Sequence, residues 1–504
     1  MPGSTQPLAY EMQVGFCEDD FRESAVTLLG LQLCDVSAAK CGDPVCRTMG
    51  TNYFGDMLRR MLVGPLLLKG RRFSIPRGVS RWFSSGSSSS SSRAVMSWGD
   101  GSHGTLGLPS SPLGSDAYEP TLVQGLPSDV LSIGVGHYHS LAVTTQGEVW
   151  AWGRNHEAQL GRGLSDPREL WNEPKQVQGL DGVRIRAAFA SGVISAAIGD
   201  DGSLWVWGRS KRGQLGLGKG VIDAVLPSRV EALAGEEIVK VSLGWGHALA
   251  LTKDGKLFGW GYSADARLGQ VGEALEMKQE GLSPATGHHL GSALEVVEKL
   301  VLDRIEKEKN MPIIWEPCLL PEFNDVKVSD VACGLDHSLI LCSNGTLLSG
   351  GSNTYGQLGR VTEDLGLVPV DMNFFEPLSI SSGLGHSFAV CKLPSSEVIG
   401  EATGIVSWGW NRNSQLGRTG TENIPGLVQG FSTETPVSVS GARAHSIALT
   451  SKGELWAWGC GKNGRLGLGS FADEIEPTLV ECLQGFEVLQ AVSGFDHNLV
   501  LVKE

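Results

Sequence analysis

The chain has 504 residues, a formal net charge of −14 and 68 glycines. Length alone allows about three domains of ~150 residues, and the acidity argues against a protein built mainly to coat nucleic acid. No apolar run nears the ~18 residues that span a bilayer; the longest such stretch is Met61–Leu68. Glycine at about 13%, nearly twice the usual ~7%, implies many tight turns and hence many short strands.

Residues 1–56 carry 3 basic and 8 acidic side chains, residues 57–93 carry 8 basic and none acidic, and residues 94–504 carry a net −17. The middle block sets eight cations, from Arg59 to Arg93, among leucines and ten serines. That is the profile of a segment drawn into an organelle by a negative-inside potential. Arg81-Trp82-Phe83-Ser84 also resembles the Arg-x-Phe-Ser site of mitochondrial processing. Residues 57–93 are therefore expected to be a mitochondrial transit peptide running into a Ser-rich flexible linker. Chloroplast import, or a cytoplasmic or nuclear site, is the alternative. The acidic residues 1–56 do not suit a presequence. They are expected to be a non-native or disordered upstream extension, with Met57 as the working initiator.

From residue 94 a repeat governs the chain. Trp-Gly, a short loop and Leu-Gly recur at Trp98, Trp152, Trp207, Trp260, Trp408 and Trp458, with Gly350 in the Trp place of one copy. The seven copies are spaced by 54, 55, 53, 90, 58 and 50 residues. Gly-x-x-His precedes most of them by 13 residues, at His139, His247, His337, His386, His445 and His497, with Ser195 taken as filling the remaining place. Between His and Trp each copy reads as a hairpin of alternating apolar residues. Gly147, Asp201-Gly202, Asp254-Gly255 and Asn344-Gly345 mark the turns. Copies of ~54 residues with several short strands and one aromatic-Gly signature describe propeller blades. The first element, at 95–98, lacks its Gly-x-x-His partner, and the last, at 494–502, lacks its Trp-Gly partner. Pairing them closes the ring and removes the open sheet edges. The expected fold is all-β: a seven-bladed β-propeller over 94–504, closed by its terminal strands.

The 90-residue spacing holds a helical insertion, placed at 270–312. Ser292-Ala-Leu-Glu295 is a capping box, and Leu294, Val297, Val301 and Ile305 follow at helical spacing. The helix either lies solvated on a blade edge or docks a partner. The ten cysteines form no Cys-x-x-Cys and have irregular spacings, so free thiols are expected.

These repeats resemble the regulator of chromosome condensation repeat family, whose motif reads Gly-x-x-His-(Ser/Thr)…Trp-Gly-x-Asn-x-x-Gly-Gln-Leu-Gly. The departures are Gly350 for Trp, Ser195 for His, and Ala158, Ala266 and Ser414 for a loop glycine. The resemblance implies three kinds of function. One is an organellar scaffold binding protein or ribonucleoprotein partners in RNA processing or ribosome assembly. The second is guanine-nucleotide exchange on a small GTPase. The third is ultraviolet-B photoreception, which in that relative uses Gly-Trp-Arg-His-Thr on successive blades, whereas here only Gly244-Trp245-Gly246-His247 offers a Trp.

No catalytic, metal or cofactor site is expected. Gly99-x-Gly101-x-x-Gly104 and Gly459-x-Gly461-x-x-Gly464 match a dinucleotide fingerprint, but neither opens a helix after a strand. The motif histidines fall on different blades, too far apart to share a metal. What remains is recognition. The two positions before each motif histidine vary around the ring: His137-Tyr138, Val193-Ile194, Trp245-Gly246, Leu335-Asp336, Leu384-Gly385, Arg443-Ala444 and Phe495-Asp496. Tyr138, Trp245, Asp336, Arg443 and Asp496 are the candidate contact residues. The chain is expected to be a monomer that touches nucleic acid only weakly or through partners.

Overall fold

The computed structural model describes residues 92–503 apart from 113, 164–166, 272–309, 362–363, 395–401 and 432–433. The expectations for 1–56, for most of 57–93 and for the 292–309 helix lie outside the described residues. Seven four-stranded antiparallel sheets form the propeller. Blade 1 illustrates the plan, with strands Val130–Val135, His139–Thr144, Val149–Gly153 and Lys175–Gln176. Blades 2 to 6 repeat it from Ile185, Ile238, Val328, Glu376 and Pro436. The hairpin glycines take positive φ as their turns require, for example 84° at Gly147 and 79° at Gly202.

Blade 7 closes the ring as the half-repeats imply. Arg93–Gly99 pairs with His497–Lys503 over seven residues, from Arg93 opposite Lys503 to Gly99 opposite His497. Glu487–Ser493 completes one side of this sheet and Ala117–Leu122 the other.

The first strand of each blade lies innermost, because polar side chains there bridge to the first strand of the next blade. Gln490 of blade 7 donates to Ile133 O and accepts from Ile133 N of blade 1. Asp330 of blade 4 takes Lys240 of blade 3 as an ion pair and the Ile380 N–H of blade 5 at 3.0 Å.

The repeat motif is the glue between blades. Each indole is fully buried, and its N–H donates to the backbone carbonyl at the Gln position of the preceding blade. Trp152 bonds Thr105 O, Trp207 bonds Gln159 O, and Trp260 bonds Gln214 O, each at 2.8 Å. The Ser after the motif histidine donates to the same carbonyl, as Ser140 does to Thr105 O and Ser387 to Gln357 O. That hydroxyl then accepts from the histidine of the blade before it: His497 to Ser140 at 3.0 Å, His139 to Ser195 at 2.7 Å, His337 to Ser387 at 3.0 Å. Since the hydroxyl proton is already committed to a carbonyl, the imidazole carries its proton on Nε2. His445 confirms the tautomer, because it faces the Asn498 Oδ1 acceptor at 2.8 Å.

The register corrects one sequence expectation. Ile194 pairs with Gly208 as His139 pairs with Gly153, and Ser195 pairs with Trp207 as Ser140 pairs with Trp152. Ser195 is therefore the motif serine, and Ile194 stands in the histidine place. The variable pair of blade 2 is Gly192-Val193 rather than Val193-Ile194. The next blade matches this change: Ala248 replaces the serine that Ile194 cannot bond, and both pack into one apolar cluster. Removing both partners together leaves no buried orphan, so the junction trades a hydrogen bond for packing at little net cost.

The other departures have local answers. At the Gly350 copy, Leu367 packs where the indole is missing: a Cβ on Gly350 would lie 2.8 Å from its Cδ2, and one on Gly269 would lie 3.0 Å from its Cδ1. In an ordinary junction that second contact falls on a Trp, as Gly359 does on Trp408. Ala158, Ala266 and Ser414 keep the left-handed loop conformation, with φ of 56°, 55° and 60°. Each stores on the order of 1 kcal/mol of strain that glycine lacks.

Candidate functional site

The variable positions sit on the loops that lead from each inner strand to the motif histidine, so they ring one mouth of the axial channel. Backbone bonds stitch these loops blade to blade: Trp245 N to Leu335 O, Leu335 N to Leu384 O, Leu384 N to Ala442 O, Arg443 N to Phe495 O and Phe495 N to His137 O, all within 3.3 Å. His137 N continues to Ser191 O at 3.1 Å. Blade 1 reaches blade 3 through side chains that pass over blade 2. His137 stacks on Trp245 with centroids 5.3 Å apart and planes 11° apart. Gly192 makes that stack possible, since a Cβ there would lie 2.8 Å from His137 Nδ1 and 2.9 Å from the Trp245 ring.

All five candidate residues join one continuous run of contacts. Asp496 pairs with Arg443 through two hydrogen bonds and with Arg465 at 2.8 Å. Arg443 lies over the Phe495 ring at 4.6 Å, and Phe495 touches both His137 and Tyr138. From His137 the run passes to Trp245, then to Arg212 at 5.9 Å, which also covers Tyr262 at 5.5 Å. Arg267 lies over the other side of this set, 4.8 Å from the Tyr262 ring, and pairs with Asp336 at 2.7 Å. Tyr138 adds His103 at its edge and the Arg154 guanidinium 5.2 Å over its ring.

Asp336 and Asp496 thus hold arginines in place. Burial raises the Asp496 pKa despite Arg465 and Arg443 beside it. Sequence reasoning did not single out Arg212, Tyr262 and Arg267 as linking members, and it named Phe495 only as a varied position. Arg212 and Arg267 lie in the loop after each Trp-Gly and Tyr262 directly follows that pair in blade 3, and only the folded ring sets them beside the Gly-x-x-His loops.

The buried imidazoles are chemically quiet. Burial pulls His139, His386, His445 and His497 down to about 3, and His137 and His337 to about 4. Burial likewise pushes the Cys333 and Cys391 thiols up to about 12, and the six described cysteines are free. Among the described residues no three His, Cys, Asp or Glu side chains converge as a metal site, and no helix is long and apolar enough to cross a membrane.

A closed ring of seven four-stranded blades, six of them carrying Trp-Gly, pinned by a girdle of His–Ser bonds and presenting one variable loop per blade, defines a class of repeat propeller. The chain belongs to the RCC1-like domain family, whose model matches residues 94–500. It is similar to the ultraviolet-B receptor UVR8 of Arabidopsis thaliana, 30% identical over 399 residues, covering 77% of this chain and 78% of the receptor. It is also similar to the secretion-regulating guanine nucleotide exchange factor of Bos taurus, 32% identical over 62% of this chain and 64% of that protein. Its fold is shared with Prp20p of Saccharomyces cerevisiae, whose crystal structure was described with its binding to Gsp1p and histones. That match has a TM-score of 0.63 at 22% identity and covers 82% of this chain and 92% of Prp20p.

Proposed function

We propose that the propeller is a non-enzymatic binding scaffold in mitochondria, holding protein or ribonucleoprotein partners in organellar RNA processing or ribosome assembly. The observation that carries the binding role is the unbroken run from Asp496 through Arg443, Phe495, His137, Trp245, Arg212 and Arg267 to Asp336 on one face. Half-buried Trp, Tyr and Arg side chains held by neighbours are the residue types that dominate interface energetics. The mitochondrial site rests on the acid-free basic segment 57–93. Guanine-nucleotide exchange on a small GTPase is the second reading, supported by the similarity to the Bos taurus exchange factor and to Prp20p. Photoreception is the remote one. Among the described residues the ring contacts of Trp245 are with His137 and Arg212, not with a second indole. Its face is covered by a cation, and the propeller carries −17, so RNA contact runs through partners or stays local.

One experiment tests location and class together. The full chain, tagged at its C-terminus and expressed in its own cells, is expected in the mitochondrial fraction with a mature N-terminus near Ser84. Splicing or ribosomal components are expected to come down with it. A full-length form in the cytosol contradicts the location. Co-purification of a small GTPase whose nucleotide release the pure propeller accelerates contradicts the scaffold reading and establishes exchange.

A further inference from the structure

A second concave site adjoins the axial mouth, between the loops of blades 4 and 5, where Trp410 N–H bonds the Gly385 carbonyl at 2.8 Å. It is a cleft of about 920 Å³ lined by Tyr355, Val361, Asp364, Trp410, Glu422 and their neighbours. Its origin is the missing indole of blade 4. The chain that returns from the Leu358-Gly359 turn enters the blade at Leu367 to fill the space beside Gly350, reversing at Gly366 with φ of 94°. The price of that inward turn is a shelf of outward aliphatics: Val361 and Leu365 are each 72% exposed, and Tyr355 is 42% exposed. Tyr355 stacks on Trp410 of blade 5 with centroids 5.2 Å apart and planes 24° apart, forming the wall of the cleft.

The charge of the lining is one-sided. Asp364 and Glu422 contribute two carboxylates, and a third, Asp265, is held by Arg267 at 2.9 Å. Arg360 is the cation among them, and its guanidinium turns inward to the Asp364 carbonyl at 2.7 Å and the Gly366 carbonyl at 3.5 Å. An electron-rich aromatic pair, an aliphatic shelf and an acidic rim together suit a cation on a long apolar stem. Contiguous exposed apolar side chains mark interaction surfaces.

We infer that the cleft between blades 4 and 5 docks a basic, aliphatic-rich segment of a partner protein, with an arginine or lysine stem laid along Tyr355 and Trp410 and its charge between Asp364 and Glu422. The cleft shares no residue with the axial run, and Asp265 of its lining pairs with Arg267 of that run.

The test is fluorescence anisotropy of a labelled twelve-residue peptide of alternating Arg and Leu against the full chain, with the Glu and Leu counterpart as comparison. Trp410→Ala and the double variant Asp364→Asn/Glu422→Gln are each expected to weaken Arg-peptide binding at least tenfold. Glu231→Gln, an exposed acid on another blade, leaves it unchanged, and all variants keep the parental melting temperature within a few degrees. Absence of binding by the parent chain, equal binding of the Glu peptide, unchanged affinity in either cleft variant, or an equal loss in Glu231→Gln overturns the inference.

Discussion

Deleting Arg93–Gly99 abolishes the cooperative fold. That strand pairs with His497–Lys503 on one side and Ala117–Leu122 on the other, so its loss opens one sheet edge and orphans another strand. It also removes Val95, Met96 and Trp98 from the core, at about 1.5–3 kcal/mol for each buried side chain. With the Trp98 N–H to Arg465 O bond lost as well, the sum rivals the ~5–15 kcal/mol that a domain has in hand. Thermal melting followed by far-ultraviolet circular dichroism should show no sigmoidal transition, or the protein should aggregate on expression. Trp98→Ala is the graded version, expected to cost about 3–5 kcal/mol in denaturant titration. A truncated chain that melts at the parental temperature contradicts closure.

Acid is the second large lever. The girdle imidazoles are neutral in the folded ring, with values near 3 to 4, whereas in the unfolded chain they take up a proton near the ordinary 6.5. A base with a depressed folded value contributes stability that is present above about 6.5 and lost as pH falls toward 3 to 4. At pH 5 the loss is about 2 kcal/mol per imidazole. Several such groups together exhaust the stability of a domain, so Trp fluorescence should report cooperative unfolding between pH 6 and 4, with several protons bound per molecule. The Ile194–Ala248 junction supplies a control. Replacing His337 and Ser387 by Ile and Ala copies it elsewhere in the ring, and the Gln357 carbonyl keeps the Trp408 N–H at 3.0 Å. That double variant should be near-neutral at pH 7.5 and should unfold at lower pH than the parent. An acid midpoint independent of the histidines contradicts the girdle account.

Blade number, hairpin turns and ring closure were legible because each copy restates the same positions, and seven restatements outvote any single departure. The departures themselves were harder. The serine at 195 drew the eye to the wrong place because the true substitution, Ile194, is apolar and silent, and only the pairing with Gly208 fixes its role. Leu367 could not be read as a stand-in for an indole, since it reaches Gly350 from a loop outside the repeat pattern. The candidate face was half legible. Variation before the histidines marked Tyr138, Trp245 and Arg443, while the arginines that bind them into one surface come from a neighbouring loop of the motif. The cleft between blades 4 and 5 was invisible in sequence, because its two aromatic residues belong to different copies.

The central claim is that the run of aromatic and arginine side chains at the axial mouth is the partner-binding surface. The direct measurement compares the full chain with Trp245→Ala/Arg443→Ala in quantitative affinity purification from isolated mitochondria. Both residues are half-buried loop positions outside the His–Ser girdle, so the variant should stay folded, as its melting curve will show. The predicted result is at least a tenfold drop in co-purified partner at unchanged propeller recovery. Undiminished partner recovery by a folded double variant would show that the binding surface lies elsewhere on the ring.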